Sequence, residues 1–138
     1  MSITPDDVRA FIRSHHRGVL ATMRNDGGPQ LSPVLVAVDD DGSLIISTRE
    51  RAIKTTNVRR TRRAWVCVFE DAFFGRWVQA DGAASVESMP GAIEGLVRYY
   101  RLVAGEHPDW DDYRAAMQRE QRVLLRIRID RVGPTREG

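Results

Sequence analysis

The chain has 138 residues, 42% of them apolar and 29% charged, enough for one globular domain and too few for two, so a single domain over 1–138 is expected. A formal net charge of +2 is too small to announce nucleic-acid binding. No apolar stretch approaches the roughly 20 residues of a membrane helix, and the opening residues through Asp7 carry acids where a signal peptide has a basic flank, so a cytoplasmic protein is expected.

Thr4, Pro5, Asp6 and Asp7 form a helix start, and Val8, Phe11, Ile12 and His15 then recur on one helical face. Gly18 to Met23 and Leu31 to Val38 are apolar runs separated by Asn25-Asp26-Gly27-Gly28, which predicts a hairpin. Pro33 inside the second run requires an edge or a bulge, because proline donates nothing to the ladder. Ser43 to Thr48 is a third strand. From Arg51 to Arg62 the β pattern gives way to a short polar helix.

Trp65 to Glu70 resumes a buried strand containing the lone cysteine, Cys67, as a small core residue. Over Trp77 to Glu87, Val78, Ala80, Gly82, Ala84 and Val86 alternate with Trp77, Gln79, Asp81 and Ser85, the mark of a half-buried strand. Ser88 is placed to cap a helix with the stripe Ile93, Leu96, Val97, Tyr100 and Val103, ended by Gly105. Asp109, Asp111 and Asp112 open a further helix, with Trp110, Tyr113 and Met117 on its buried side. Val123, Leu125, Ile127 and Ile129 mark a last strand before a polar tail. These elements predict a mainly β (α+β) fold, a six-stranded antiparallel split barrel with peripheral helices.

Twenty of the 21 basic side chains are arginine, and Lys54 is the only lysine. It lies in Ser47-Thr48-Arg49-Glu50-Arg51-Ala52-Ile53-Lys54-Thr55-Thr56-Asn57, which sets hydroxyls at a strand end and cations on the helix that follows. That arrangement suits a phosphate: free helix N–H groups attract an anion, hydroxyls donate to it, and Arg51 and Lys54 fall three apart on one face. The same run also fits a solvated helix face. Arg59, Arg60, Arg62 and Arg63 extend the charge in a way that suits an acidic extension of a ligand or a plain basic surface. No aromatic residues interleave with them as in a nucleic-acid platform. Trp77 is placed to cover a ring system or to pack in a core. His15, His16 and His107 are not arranged for a metal, and no hydrolase, nucleotide-loop or zinc-protease motif is present, so any redox chemistry would belong to a cofactor.

Gly18-Val19-Leu20-Ala21-Thr22, Gly28-Pro29-Gln30-Leu31-Ser32-Pro33-Val34, Lys54-Thr55-Thr56-Asn57-Val58-Arg59-Arg60 and Ala104-Gly105-Glu106-His107-Pro108-Asp109-Trp110-Asp111-Asp112-Tyr113-Arg114 together resemble the pyridoxamine 5′-phosphate oxidase-like split barrels. Within them, the chain resembles the short actinobacterial proteins that use the deazaflavin coenzyme F420. The resemblance implies that Ser47, Thr48, Arg51, Lys54 and Asn57 surround the cofactor phosphate, that the Ser32 to Val36 backbone, with Ser32, Pro33 and Val34, lies along the ring, and that Trp77 helps close the pocket, in a homodimer with the cofactor near its interface. It implies an oxidoreductase passing a hydride between F420 and a small electron-poor substrate, the alternatives being FMN on the same barrel or a non-catalytic F420-binding protein. Thr61-Arg62 departs from the family pattern of an acid or amide followed by proline. The Arg-x-His of true pyridoxamine phosphate oxidases is absent from 131–138, which disfavours that activity.

Overall fold

In the computed structural model, which describes residues 3–134, the first helix, α1 (Pro5–Ser14), starts as its sequence predicts. Thr4 accepts from the Asp7 N–H, and the Asp7 carboxylate accepts from the Thr4 N–H, a reciprocal cap that satisfies two helix-end donors. Val8 and Ile12 are fully buried, and Phe11 stacks on His15 at 4.4 Å between ring centres.

Strand β1 (Arg17–Met23) turns through 25–28 into β2 (Pro29–Leu35). The predicted strand from Leu31 to Val38 divides: β2 stops at Leu35, and Ala37–Val38 forms a separate short strand, β3. Val36 is the hinge. Its N–H still donates to His16 O on the β1 side, after which the chain leaves β1 and pairs with β4 (Leu44–Arg49). The sheet therefore has seven strands where six were expected. The apolar run stays unbroken through the hinge because Val36, Ala37 and Val38 are all buried.

Helix α2 (Ile53–Thr61), β5 (Arg63–Phe69), β6 (Trp77–Glu87), α3 (Ile93–Ala104), α4 (Trp110–Arg119) and β7 (Arg122–Gly133) complete the chain. Asp109 caps α4 by accepting from the Asp112 N–H. Ser88 does not cap α3: the helix starts after Ala92, beyond Pro90, and the Ser88 hydroxyl instead accepts from Arg59. Residues 135–138, most of the expected polar tail, lie outside the described residues.

All pairings are antiparallel, in the order β2-β1-β5-β6-β7-β4-β3, and the sheet curls into a half-barrel. Its concave face carries Leu20, Leu44, Ile46, Val66, Val68, Leu125 and Ile127, closed over by Val8 and Ile12 of α1 and Val58 of α2. On the convex side of β4 and β7, Ile45 and Leu124 meet Leu96 and Val97 of α3 and Met117 of α4. Adjacent residues on one strand thus serve two cores, as strand alternation requires. The expected alternation of β6 fails at Asp81, which is buried and bonded to Arg63 at 3.0 Å. A register shift falls between Asp81 and Gly82, where a Cβ on Gly82 would lie 1.6 Å from the Arg128 carbonyl oxygen; only glycine admits so close a strand.

Candidate functional site

The curled sheet leaves a split between its terminal strand β2 and the second half of β4, which come close without pairing. Pro29 and Pro33 explain how β2 can end a sheet. The Arg24 N–H donates to Gly28 O and the Val36 N–H to His16 O, so alternation along the ladder directs the backbone groups of 30, 32 and 34 toward β1. Those of 29, 31, 33 and 35 face the free edge, where the missing proline N–H costs no ladder bond. Ser32 and Val34 project to the concave side, Val34 against the core, while Pro33 is exposed.

Lys54, in the first turn of α2, reaches across the split and donates from Nζ to the Ser32 hydroxyl at 3.1 Å. It is partly buried, and among the described residues no carboxylate lies within 4.0 Å of it, whereas thirteen arginines have one. Burial pushes the Lys54 ammonium below the ordinary lysine range, and the nearby Arg122 charge adds to that effect. A desolvated cation answered only by a neutral hydroxyl is a place where an anion lowers the energy.

The structure brings together only part of the set expected around Lys54. Asn57, one turn on, is buried: its Nδ2 donates to Thr22 Oγ1 at 3.1 Å, and its Oδ1 accepts from Arg60 at 3.3 Å, tying α2 to β1. Ser47 and Thr48 point to opposite faces of β4, Thr48 into the core and Ser47 half-buried toward α3. Arg51 does not share a helical face with Lys54. The extended backbone of Ala52, the N-cap, leaves Arg51 outside the helix, where it joins a different pocket. Trp77 is exposed on the convex face, away from the side on which Ser32 projects. Arg59 is bonded to Glu50 at 2.8 Å and Arg63 to Asp81 and Asp130, so much of the basic stretch is already paired.

Two neighbours of the split escaped the sequence reading. The Tyr99 hydroxyl donates to Leu35 O at 2.9 Å and lies beside the Ser47 backbone, bridging β2 and β4; burial raises its pKa. Arg122, opposite Arg49 at the start of β7, is held by Glu120 at 3.1 Å. Tyr99 follows Leu96 by three residues, so helical spacing marks it as clearly as Tyr100. Nothing local distinguished Arg122 among twenty arginines. Gln30 Oε1, on the concave side of β2, is a buried acceptor without a partner among the described residues. Among those residues no group of three His, Cys, Asp or Glu could hold a metal ion, and no helix is long and apolar enough to cross a membrane.

This arrangement has relatives. Residues 4–136 match the family model described as pyridoxamine 5′-phosphate oxidase. A Mycobacterium tuberculosis protein named F420H(2)-dependent biliverdin reductase is 26% identical over 129 residues, covering 92% of this chain and 85% of its own length. The crystal structure of the conserved hypothetical protein Rv2991 from Mycobacterium tuberculosis superposes with a TM-score of 0.77 at 26% identity, covering 94% of this chain and 82% of that one. A structure titled F420 Reductase, at 18% identity, shares the fold with a TM-score of 0.72 over 94% of this chain and 98% of its own.

Proposed function

The chain belongs to the pyridoxamine 5′-phosphate oxidase family, and on that premise we propose that it is an oxidoreductase that binds coenzyme F420 and passes a hydride between it and a small electron-poor organic substrate. The observation that carries this reading is Lys54: a half-buried cation at a helix start, bonded to Ser32 and with no carboxylate beside it among the described residues. A phosphate ester answers that charge. Lys54 would hold it, with Ser32 supplying a hydroxyl contact. Arg122 adds positive potential, and Asn57 keeps the start of α2 in place through Thr22.

The free edge of β2 offers the N–H and C=O of Leu31 and the C=O of Pro33 to the rim of a flat ring, and Tyr99 fixes that edge at Leu35. When bound, the deazaflavin supplies the hydride chemistry; the chain's own groups bind, orient and exclude water. The name of the biliverdin reductase relative supports F420 over FMN and suggests an extended conjugated acceptor to try first.

The test is a fluorescence titration with F420 and, separately, with FMN, followed by an assay of reduced F420 oxidation with biliverdin and a panel of quinones and enones. Tighter binding of F420 and turnover with at least one acceptor are expected. Preference for FMN would overturn the cofactor assignment, and F420 binding without any turnover would leave a carrier rather than an enzyme. We assign the homodimer to the convex face of β2, β1, β5 and β6, where Leu31, Leu35, Phe73, Phe74 and Trp77 are exposed.

A further inference from the structure

The terminal strand β2 is paired on one side only, to β1, and its backbone reaches that neighbour through residues 30, 32, 34 and 36. Continued one step past Arg17 and Leu35, the register sets His16 opposite Val36. An antiparallel pair of this kind exchanges two bonds. One is an ordinary ladder bond, from the Val36 N–H to His16 O at 2.8 Å. The other comes from a side chain: the Val36 carbonyl accepts from Nδ1 of the His16 ring at 2.9 Å.

A carbonyl only accepts, so Nδ1 carries the hydrogen, and the bond persists whether the ring is neutral or charged. His15 makes the same type of bond inside its own helix, to Phe11 O at 3.1 Å. His16 instead reaches another element, at the point where the chain stops following β1. Val36 is fully buried there, and Ala37 already pairs with Ile45 of β4. Just before it, Leu35 O on the free edge accepts from the Tyr99 hydroxyl at 2.9 Å. Three consecutive polar groups of the Leu35–Val36 backbone are thus fixed, two of them by His16.

We propose that His16 is a positioning residue for the free edge of β2: its ring stands in for the ladder bond that the strand loses on leaving β1, and holds Pro33 to Leu35 so that the Pro33 carbonyl faces the rim of a bound ring. This deepens the reading of that edge as the ring-binding edge and rests on it. Without Nδ1–H, the Val36 carbonyl is left unpaired in a buried stretch, which costs enough to fray the end of the strand. Ser32 lies about 13 Å from Val36 along the strand, on the far side of the Gly18–Val34 pair, so its bond to Lys54 stays outside the frayed part. His16 and Lys54 therefore act on different ends of the ligand.

Asparagine places its Nδ2 where histidine has Nδ1, whereas glutamine places its amide nitrogen near the position of Nε2, so these two variants separate the donor from the loss of the ring. In the free full-length chain, amide hydrogen exchange of Val36 is measured relative to Val66 of the interior strand β5, which corrects for any change in global stability. It should quicken about fivefold or more in His16→Ala and His16→Gln and stay near the wild-type ratio in His16→Asn. The same ratio in all four proteins would overturn the proposal, and this measurement involves no cofactor.

A titration with F420 then reads the ligand. Affinity should fall about fivefold in His16→Ala and His16→Gln, the absorption band of the bound deazaflavin should move, and His16→Asn should restore both. The loss should add to that of Lys54→Ala in the double variant. Wild-type affinity and an unmoved band in His16→Ala, with Val36 exchange quickened, would overturn the positioning role. If the wild type itself bound no F420, the cofactor reading would fail, and the exchange comparison would still decide whether His16 holds the edge.

Discussion

At the residue scale, Lys54 and Asn57 sit one turn apart and do different work. Lys54 gives up little when removed from the free protein, because its bond to Ser32 is one neutral contact. Lys54→Ala is therefore expected to weaken F420 binding about tenfold or more, roughly 1.5 kcal/mol, with the unfolding midpoint in urea nearly unchanged; wild-type affinity in that variant would remove the proposed phosphate site.

Its titration adds a second expectation. Burial and Arg122 lower the pKa of Lys54, so the ammonium loses its proton at a pH below that of an exposed lysine. Affinity for a phosphate ester that is already fully ionised should then decline on the alkaline side earlier than ordinary lysine titration, and Lys54→Arg should abolish the decline. Asn57→Ala strands the buried Thr22 hydroxyl, removes a contact of the exposed Arg60 and is expected to cost about 1–3 kcal/mol of stability. Affinity per folded molecule should change less than in Lys54→Ala, a split that equilibrium unfolding and the cofactor titration read separately.

At the scale of elements, what the sequence made legible follows periodicity and caps. The Thr4 box, the Asn25–Gly28 turn, the alternation of β7 and the Asp109 cap are local signals, and each element formed where they stand. Misread features depend on distant partners. Val36 changes from one strand neighbour to another within a continuous apolar run, Asp81 is buried because Arg63 and Arg131 reach it, and Ser88 is taken by Arg59. The site divides the same way: Lys54 stood out by composition, while its contact with Ser32 depends on how β2 closes toward α2.

The attachment of α3 also escaped the sequence. Asp39, almost fully buried beyond β3, accepts from Arg98 of α3 at 2.8 Å and from Arg126 of β7 at 2.8 Å, and these bonds hold its carboxyl far below the usual carboxylate range. A depressed folded pKa gives stability that is complete above the ordinary aspartate pKa and is lost as pH falls toward the folded value. Asp39→Asn should thus cost about 2–4 kcal/mol at pH 7, and the gap from wild type should narrow as the pH drops below about 4. Urea unfolding at pH 7 and pH 3 checks both; an equal gap at the two values would contradict the role given to the carboxylate.

At the scale of the whole molecule, the half-barrel spends its concave face on the core and covers β4 and β7 outside with α3 and α4, leaving the outside of β2, β1, β5 and β6 uncovered in the single chain. The register lines up Leu31, Ala21 and Trp65 in one row and Pro33, Val19 and Cys67 in the next, so the face is a continuous apolar strip rather than scattered side chains. Phe73 and Phe74 extend it from the β5–β6 connection, Phe74 being 96% exposed. A contiguous surface of this kind marks an association site, and a second copy placing its own convex face there would bury both strips under two-fold symmetry. Light scattering at micromolar concentration should give twice the chain mass for the wild type and the monomer mass for a Leu31→Asp/Phe74→Asp variant. Both side chains are largely exposed, so the variant should unfold at nearly the wild-type urea midpoint when compared at low concentration. Trp77 makes the consequence for binding measurable. Because it cannot join Ser32 and Lys54 from its own convex position, any part it takes in the cofactor pocket must come from the second copy. The monomeric variant should then keep the Lys54-dependent share of F420 affinity and lose a further share that Trp77→Ala also removes. If the monomer bound F420 as tightly as the wild type, the pocket would be complete within one chain and Trp77 would serve the interface alone.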